Sequence, residues 1–357
     1  MDLEDLRRQI DEIDVRIVAA LNERAKVVQQ IGELKQKQNR QIYDPSREQL
    51  VYHKVEASNA GPLPNKCLRA IYRELMSGAI ALEQPITIAF LGPEGTFSHV
   101  AAKAKFGESV SYLPVRGVDA IFHSVARDDA DYGVVPIENS TEGGVTDTLE
   151  MFMDSDLKVC AEITLPVHHH LIGACAIQDV KQIYSKQQPF GQCKRWLADN
   201  FAHVEQIEAS STAEAARLAK ETPHSAAIAH EGAASLYGLQ ILARCIEDWT
   251  HNMTRFLVIS KSYGATTGVD KTSIMCWIKD EVGALYSVLL PFKKASINLT
   301  KIESFPSRRR PWEYLFFIDV EGHVGDASVA AALADIRSIC KELKILGSFP
   351  KSPAASD

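Results

Sequence analysis

The chain has no apolar run close to the ~18 residues that a membrane span requires, so no bilayer crossing is expected. None of its seven cysteines stands in a CxxC pair. Cys67, Cys160, Cys175, Cys193, Cys245, Cys276 and Cys340 are scattered and odd in number. That pattern fits reduced, buried thiols in a reducing compartment and speaks against a disulfide frame or a zinc ribbon. Positive charge is also in deficit: 39 Lys and Arg face 46 Asp and Glu, a formal net charge of -7. Nucleic acid is therefore not expected as the main partner, although small anions answer to local clusters of Arg and Lys. The acidic, amphipathic N-terminus is unlike a secretory or transit segment, and a cytoplasmic location is expected. His168-His169-His170 has no acidic or cysteine partner at ligand spacing, and strand alternation would send neighbouring side chains to opposite faces. Neither a metal nor a cofactor is expected.

At 357 residues the chain exceeds what one hydrophobic core holds, so several domains are expected. Three textures follow one another. Residues 1–85 read as purely helical, with few glycines before Gly61. Residues 86–263 alternate short β-rich runs, such as Tyr132–Val135, with helical stretches such as Val118–Ala126, Ser211–Lys220 and Glu231–Tyr237, as an α/β domain does. Tyr263–Val269 reads as a linker. Residues 271–350 follow the βαββαβ order of a ferredoxin-like α+β domain, and the tail beyond is expected to be disordered.

In the helical region, Leu3, Leu6, Ile10, Ile13, Ile17 and Leu21 step by three and four, and Val27, Ile31 and Leu34 continue the stripe. A helix of about 34 residues is about 50 Å long, too long to cover that stripe within 85 residues, so pairing with a second copy is expected. Arg24 and Lys35 are eleven residues apart and share a face. Arg7 sits about 100° round the helix from Arg24, so it cannot easily serve the same pocket but could reach one in a paired chain. Asp44 reads as an N-cap with Pro45 at N1. On periodicity alone, a helical dimer with solvated charges is the favoured reading. The ordered series Arg7, Arg24, Lys35, Asp44, Arg47, Glu48 and Glu83 resembles the all-helical chorismate mutase family. That resemblance implies carboxylate binding by Arg7 of a second copy, Arg24 and Arg47, and contact with the ether oxygen of chorismate by Lys35 and Glu83. Glu48 would take a substrate hydroxyl, and Asp44 would support the arrangement. Many mutases carry Gln where Glu83 stands, and a carboxylate cannot donate a hydrogen bond. Mutase activity should therefore fall as Glu83 ionises.

Four polar clusters punctuate the central region. Gly92-Pro93-Glu94-Gly95-Thr96-Phe97-Ser98 lies between a strand and a helix, but is neither a P-loop nor a Rossmann fingerprint. Pro136-Ile137-Glu138-Asn139-Ser140-Thr141-Glu142-Gly143-Gly144 ends the next strand, and Ser185 to Gln192 precedes another helix. Asn252-Met253-Thr254-Arg255-Phe256 precedes the last strand. Such loops gather where open α/β sheets bind ligands. These strings closely resemble prephenate dehydratase, which implies two lobes like a type-2 periplasmic binding protein and a cleft between them. By that resemblance Thr254 assists departure of the hydroxyl group, and Arg255 holds carboxylates with Ser98, Asn139 and Ser140. Ser185 and Gln192 complete the cleft, and Thr96, Glu138 and Thr141 join the substrate-binding set.

In the last region, Gly283-Ala284-Leu285 opens a helix after a strand, and Asn298, Leu299, Glu303 and Ser304 lie on the following strand. The fold by itself assigns no function. The motifs resemble the ACT regulatory domain, which implies bound phenylalanine and feedback inhibition. Phe305 stands where the family usually has Arg. The three resemblances together imply a multidomain, bifunctional enzyme of L-phenylalanine biosynthesis acting on chorismate and prephenate, assembled as a homodimer or tetramer. The alternative is an amino-acid-responsive binding protein whose cleft no longer turns over.

Overall fold

The structure, a computed structural model, describes residues 2–38, 43–278, 281–306 and 314–352. The Arg308–Arg310 run and most of the tail expected to be disordered lie outside those residues. Two compact units emerge, residues 1–86 with 106–111, and residues 87–105 with 112–357.

The first unit is helical. Asp2 and Asp5 form a capping box at the start of α1 (Leu3–Lys37), which satisfies N–H groups that the first turn cannot pair internally. α2 (Pro45–Ala57) starts where the sequence indicates: Asp44 Oδ1 accepts from Ser46 N and Arg47 N. α3 (Asn65–Glu83) ends just before Pro85, which cannot continue a helix. Gly32 is buried on α1 because Glu83 of α3 lies against it, with Cγ 3.0 Å from where a Cβ would stand. The apolar stripe of α1 is uncovered in the single chain. Leu3, Ile10 and Leu34 are 62%, 57% and 56% exposed, and Ile13, Ile17 and Ile31 are exposed as well.

The second unit begins with β1 (Thr87–Leu91), α4 (Phe97–Phe106), β2 (Ser111–Val115), α5 (Val118–Ala126) and β3 (Tyr132–Asn139). Two-residue β4 (Gly143–Gly144), α6 (Thr146–Asp154) and β5 (Lys158–Pro166) complete that lobe. Residues 167–169 cross to a second lobe, which opens with β6 (His170–Gly173), β7 (Gln182–Ser185), α7 (Gln187–Gln192), α8 (Lys194–Phe201) and β8 (Glu205–Glu208). It closes with α9 (Thr212–Glu221), β9 (Ser225–Ala229), α10 (Glu231–Tyr237) and β10 (Gln240–Ala243). The chain then returns through 244–252 as β11 (Met253–Ser260), which inserts between β3 and β5. The sheet orders are β2-β1-β3-β11-β5 and β10-β6-β9-β7-β8. The two crossovers make a two-lobed domain whose strand-end loops face one another.

The remainder is β12 (Asp270–Trp277), α11 (Ala284–Lys294), β13 (Leu299–Pro306), β14 (Tyr314–Glu321), α12 (Ala327–Ile339) and β15 (Glu342–Pro350). Its antiparallel sheet runs β13-β14-β12-β15, the ferredoxin-like arrangement. Strand alternation divides its side chains. Ile274, Cys276, Ile318 and Val320 pack under the two helices. Met275, Trp277, Leu315, Phe317 and Phe349 join Phe122, Leu149, Phe152 and Val159 of the first lobe in one continuous core. Residues 264–269 therefore join two parts that share a hydrophobic interior. The approach of β15 to β5 is backbone-close at Gly347, φ +156, where the Val159 carbonyl leaves no room for a Cβ.

Candidate active sites

In the helical unit the fold brings together two residues 48 positions apart: Lys35 Nζ donates to Glu83 Oε2 at 2.9 Å. Glu83 is nearly buried and Lys35 mostly so. Glu48 is buried and accepts from Tyr43 Oη at 2.8 Å. Arg24 is half-buried and Arg47 exposed. Asp44 Oδ1 is engaged by the α2 N-terminus. Arg7, paired at the surface with Glu4 at 2.7 Å, stands seventeen residues before Arg24 on one straight helix, about 25 Å along the axis. It cannot reach the Lys35–Glu83 region of its own chain.

The second unit holds a cavity of about 560 Å³ between its lobes, a size suited to a small organic ligand. Thr96, Ser98, Asn139, Gln192 and Thr254 of the expected set line it. The centre of the arrangement is the Asn139 side chain. Its Nδ2 donates to Thr254 Oγ1 at 2.9 Å and to Asn252 Oδ1 at 2.8 Å. Its Oδ1 accepts from Thr141 N at 3.0 Å and Thr141 Oγ1 at 2.5 Å. Because Thr254 Oγ1 already accepts a hydrogen bond, its own hydrogen is free to donate toward the cavity. Gln192 clasps the lobes: Oε1 accepts from Asn252 Nδ2 at 3.1 Å and lies 2.7 Å from His169 Nε2, while its Nε2 donates to Thr141 Oγ1 and Glu142 Oε1.

Five expected residues do not line the cavity. Ser185 is fully buried and donates to the Ile228 carbonyl at 3.0 Å, a structural contact within the second lobe's sheet. Ser140 Oγ accepts from Met253 N at 2.9 Å and donates to His251 O, tying two loops. Thr141 supports Asn139 from behind, at the outer mouth. Glu138 and Arg255 point to the opposite face of the sheet, where Lys301 and the Glu162–Asp319 pair hold them. This is a correction with a simple cause: Thr254 and Phe256 face the cavity, and period-two alternation turns Arg255 away. The same rule separates Glu303 from Ser304. Glu303 faces the first lobe, paired with Lys301 at 2.7 Å, whereas Ser304 is exposed on the helix-bearing face. Gly283 caps α11 in the left-handed region with φ +83, next to buried Ala284 and half-buried Leu285. Asn298 is exposed and Leu299 half-buried at the start of β13. Phe305 joins the shared core.

Residues missed in the sequence are Phe97, His169, Lys186 and the run Ser210, Ser211 and Thr212, all lining the cavity. Ser211 caps α9, Oγ accepting from Glu214 N at 3.0 Å; a polar triplet before a helix was the available signal. The N-terminal turns of α4 and α9 thus border the cavity with Lys186, donors for an acid, while Glu142 and Asp147 line it as well. His169 is buried, and burial lowers its pKa, so it is neutral near pH 7. Its Nδ1 has no hydrogen-bond partner among the described residues. The histidine run does acquire partners that its sequence spacing hides. His168 Nδ1 lies 2.7 Å from Glu247 Oε1, and with Cys245 the three ligand atoms fall within 4.8 Å of one another. Both Glu247 oxygens are already engaged, by His168 and by His169 N at 2.9 Å, so the cluster ties the two crossovers together.

Comparison with known proteins matches three families along the chain: chorismate mutase type II over residues 6–84, prephenate dehydratase over 88–263 and the ACT domain over 272–338. A bifunctional chorismate mutase/prephenate dehydratase of Aquifex aeolicus is 46% identical over 98% of both chains. Its counterpart in Stutzerimonas stutzeri is 43% identical over 98% of both. Among solved structures, a prephenate dehydratase from Arthrobacter aurescens in complex with L-Phe superposes with a TM-score of 0.69 at 33% identity. That match covers 76% of this chain and 93% of the other.

Proposed function

The chain belongs to the family of bifunctional chorismate mutase/prephenate dehydratases that carry an ACT domain, and from that premise we propose how its residues divide the work. The protein is an enzyme of L-phenylalanine biosynthesis, rearranging chorismate to prephenate and converting prephenate to phenylpyruvate.

The first reaction is intramolecular and needs neither a covalent intermediate nor a proton transfer. A site has only to hold a compact dicarboxylate and stabilise charge developing on its ether oxygen. Arg24 and Arg47, with Arg7 contributed by a second copy, take the carboxylates. Lys35 and Glu83 address the ether oxygen, and Glu48 a hydroxyl. The 2.9 Å Lys35–Glu83 contact supports that pairing. The uncovered stripe of α1 supports a homodimer, and tetramers are compatible with it. Solvent on that stripe would cost about 25 cal/mol per Å² of apolar surface left uncovered.

In the second reaction the carbon–carbon bond to the departing carboxylate breaks. Its electron pair moves into the ring as CO2 is released, the hydroxyl leaves as hydroxide and takes a proton from solvent to become water, and the ring becomes aromatic. Thr254 donates to the leaving oxygen, with its acceptor side occupied by Asn139. Lys186 and the first turns of α4 and α9 hold the carboxylates. The observation that carries this reading is the 2.9 Å contact from Asn139 Nδ2 to Thr254 Oγ1 inside the cavity. Phenylalanine binds the ACT domain near Gly283, Ala284, Leu285, Asn298, Leu299 and Ser304, and inhibits. We assign the enzyme to the cytoplasm; no helix among the described residues is long and apolar enough to cross a membrane.

The test is to feed chorismate to the purified protein and follow both products with and without phenylalanine. Thr254→Ala should accumulate prephenate at the wild-type rate and form no phenylpyruvate. Loss of both activities together would overturn the assignment of separate sites. A wild-type protein that binds prephenate without turning it over would establish a binding protein instead.

A further inference from the structure

Two short segments carry the chain between the lobes, residues 167–169 outward and 244–252 on the return, and they are laced together. Val167 N donates to the Asn252 carbonyl and Ile246 N to the His169 carbonyl, each at 2.8 Å. Glu247 adds its carboxylate, Oε2 accepting from His169 N at 2.9 Å and Oε1 lying 2.7 Å from His168 Nδ1. The Cys245 thiol takes no part in these bonds. Its sulfur nevertheless completes a triad with His168 and Glu247 whose ligand atoms all lie within 4.8 Å of one another. No other group of three or more His, Cys, Asp or Glu side chains among the described residues brings its ligand atoms so close. Cys245 is exposed and held at φ +49, a left-handed backbone that a residue with a Cβ seldom adopts. Its N–H donates to His170 Nδ1 at 3.1 Å.

We propose that His168, Cys245 and Glu247 form a binding site for one thiophilic divalent cation of the zinc class, and that the bound ion slows the dehydratase by cross-linking the two crossovers. The donor set suits that ion. An imidazole nitrogen, a thiolate and a carboxylate oxygen are ordinary zinc ligands at about 2.0–2.3 Å, and four-coordinate geometry sets such atoms about 3–4 Å apart. The Nδ1–Oε1 pair has only to open slightly and the thiol to swing in. His168, 42% exposed, and exposed Cys245 have room for that movement. The metal takes the place of the proton between Nδ1 and Oε1, which passes to Nε2 of the same ring, and the thiol gives its proton to solvent. Thiolate and carboxylate then balance the two positive charges, so no charge is left uncompensated beside buried Glu247. His169 N and His170 Nδ1 are the outer partners that fix the carboxylate and the Cys245 backbone. A fourth position is left for water on the solvent side.

Gln192 closes the cavity from lobe to lobe, so entry of a substrate requires the lobes to part, and parting bends both crossovers. His168 stands between Val167 and His169, which both line the cavity. An ion shared by the two segments resists that bending without touching the reacting groups. Turnover does not need the ion, which acts as a brake.

Binding of the ion is independent of what the cleft catalyses, and only the braking rests on the dehydratase reading, so the two are measured separately. Full-length protein freed of metal with a chelator is titrated with Co2+ and with Zn2+. One equivalent of Co2+ should bring the charge-transfer absorption of a cobalt–thiolate bond and the strong visible bands of a four-coordinate ion. Both should vanish in Cys245→Ser, whose melting and metal-free phenylpyruvate formation should match those of the parent. Calorimetry should show zinc binding at least about tenfold more weakly to Cys245→Ser and to Glu247→Gln than to wild type, since losing a ligand costs no less than losing an outer partner. One equivalent of zinc should slow phenylpyruvate formation by the wild type severalfold, reversibly with chelator, and leave mutase activity and the Cys245→Ser enzyme unaffected. Absence of the thiolate band, or a band undiminished in Cys245→Ser, would overturn the site. Zinc held by Cys245 with turnover at the metal-free rate would overturn the brake. A wild-type protein that forms no phenylpyruvate even without metal would instead refute the reading of the cleft, and the cobalt spectrum would still decide the site.

Discussion

Asn139→Asp replaces one atom, yet it should abolish phenylpyruvate formation near neutral pH. In the wild-type protein Nδ2 donates to Thr254 Oγ1 and Asn252 Oδ1, with a longer contact to the Met253 carbonyl at 3.4 Å, and Oδ1 receives two hydrogen bonds from Thr141. The ionised carboxylate has no hydrogen to give. Thr254 then turns its own hydroxyl hydrogen to the new oxygen, and the donor aimed at the leaving group is lost. Removing a preorganised donor that acts on charge developing in a transition state costs roughly 10²–10³ in rate, about 3–4 kcal/mol at 1.36 kcal/mol per decade. The two bonds from Thr141 survive, so the loop should keep its shape, at a stability cost of about 1–3 kcal/mol for the group left facing Asn252 Oδ1. The assay is the pH dependence of kcat for phenylpyruvate formation. Activity should be near zero at pH 7.5 and partly recover as the pH falls and the new carboxyl gains a proton, because the neutral acid donates again. An Asn139→Asp enzyme retaining more than about a tenth of wild-type kcat at pH 7.5 would refute the claim that Asn139 aims the Thr254 hydroxyl.

Glu83→Gln should keep or raise mutase activity, since an amide donates to the ether oxygen where a carboxylate accepting from Lys35 cannot; loss of mutase activity in the folded variant would contradict that role. Ile17→Asp places a charge in the middle of the exposed α1 stripe, and sedimentation should show a shift toward monomer together with loss of mutase activity, because Arg7 would no longer be delivered by a second copy. At Glu162, burial alone would raise the pKa, but Arg255 and Lys271 outweigh it and hold the carboxyl below its ordinary value of 4.5. A depressed folded-state pKa means that the ion pair contributes in full above the unfolded value and is lost as the pH falls through the folded one. Glu162→Gln should therefore be less stable than wild type at pH 7, by about 3–5 kcal/mol for a broken buried pair, with the difference shrinking below pH 4.5; a gap that is constant with pH in denaturant melts would contradict this.

Much of the framework was legible in the residues. Val118–Ala126 and Glu231–Tyr237 are helices with the bounds their patterns indicate. Asp44 caps α2, and the βαββαβ order forms the expected four-stranded sheet. Local chemistry suffices for these, because caps, periodicity and proline act over a few residues. The site was half legible. Thr254 and Asn139 stand out in polar strings at strand ends, and they do meet, side by side on one wall of the cavity. The neighbours chosen with them, Arg255 and Glu138, belong to the other face. Strand alternation says that Thr254 and Arg255 must part company, but not which of them faces the ligand.

That choice belongs to the tertiary structure. It depends on which side of the β3–β11 pair receives the second lobe and which receives the ACT domain, and no local pattern encodes either. The shared core that joins Trp277 and Phe317 to Phe122 and Phe152 decides it. Asp319 lies 64 residues from Arg255, and Cys245 and Glu247 lie almost 80 from His168. Hydrophobic periodicity tells each strand that it has a buried face; only the packing of whole layers determines what that face is buried against.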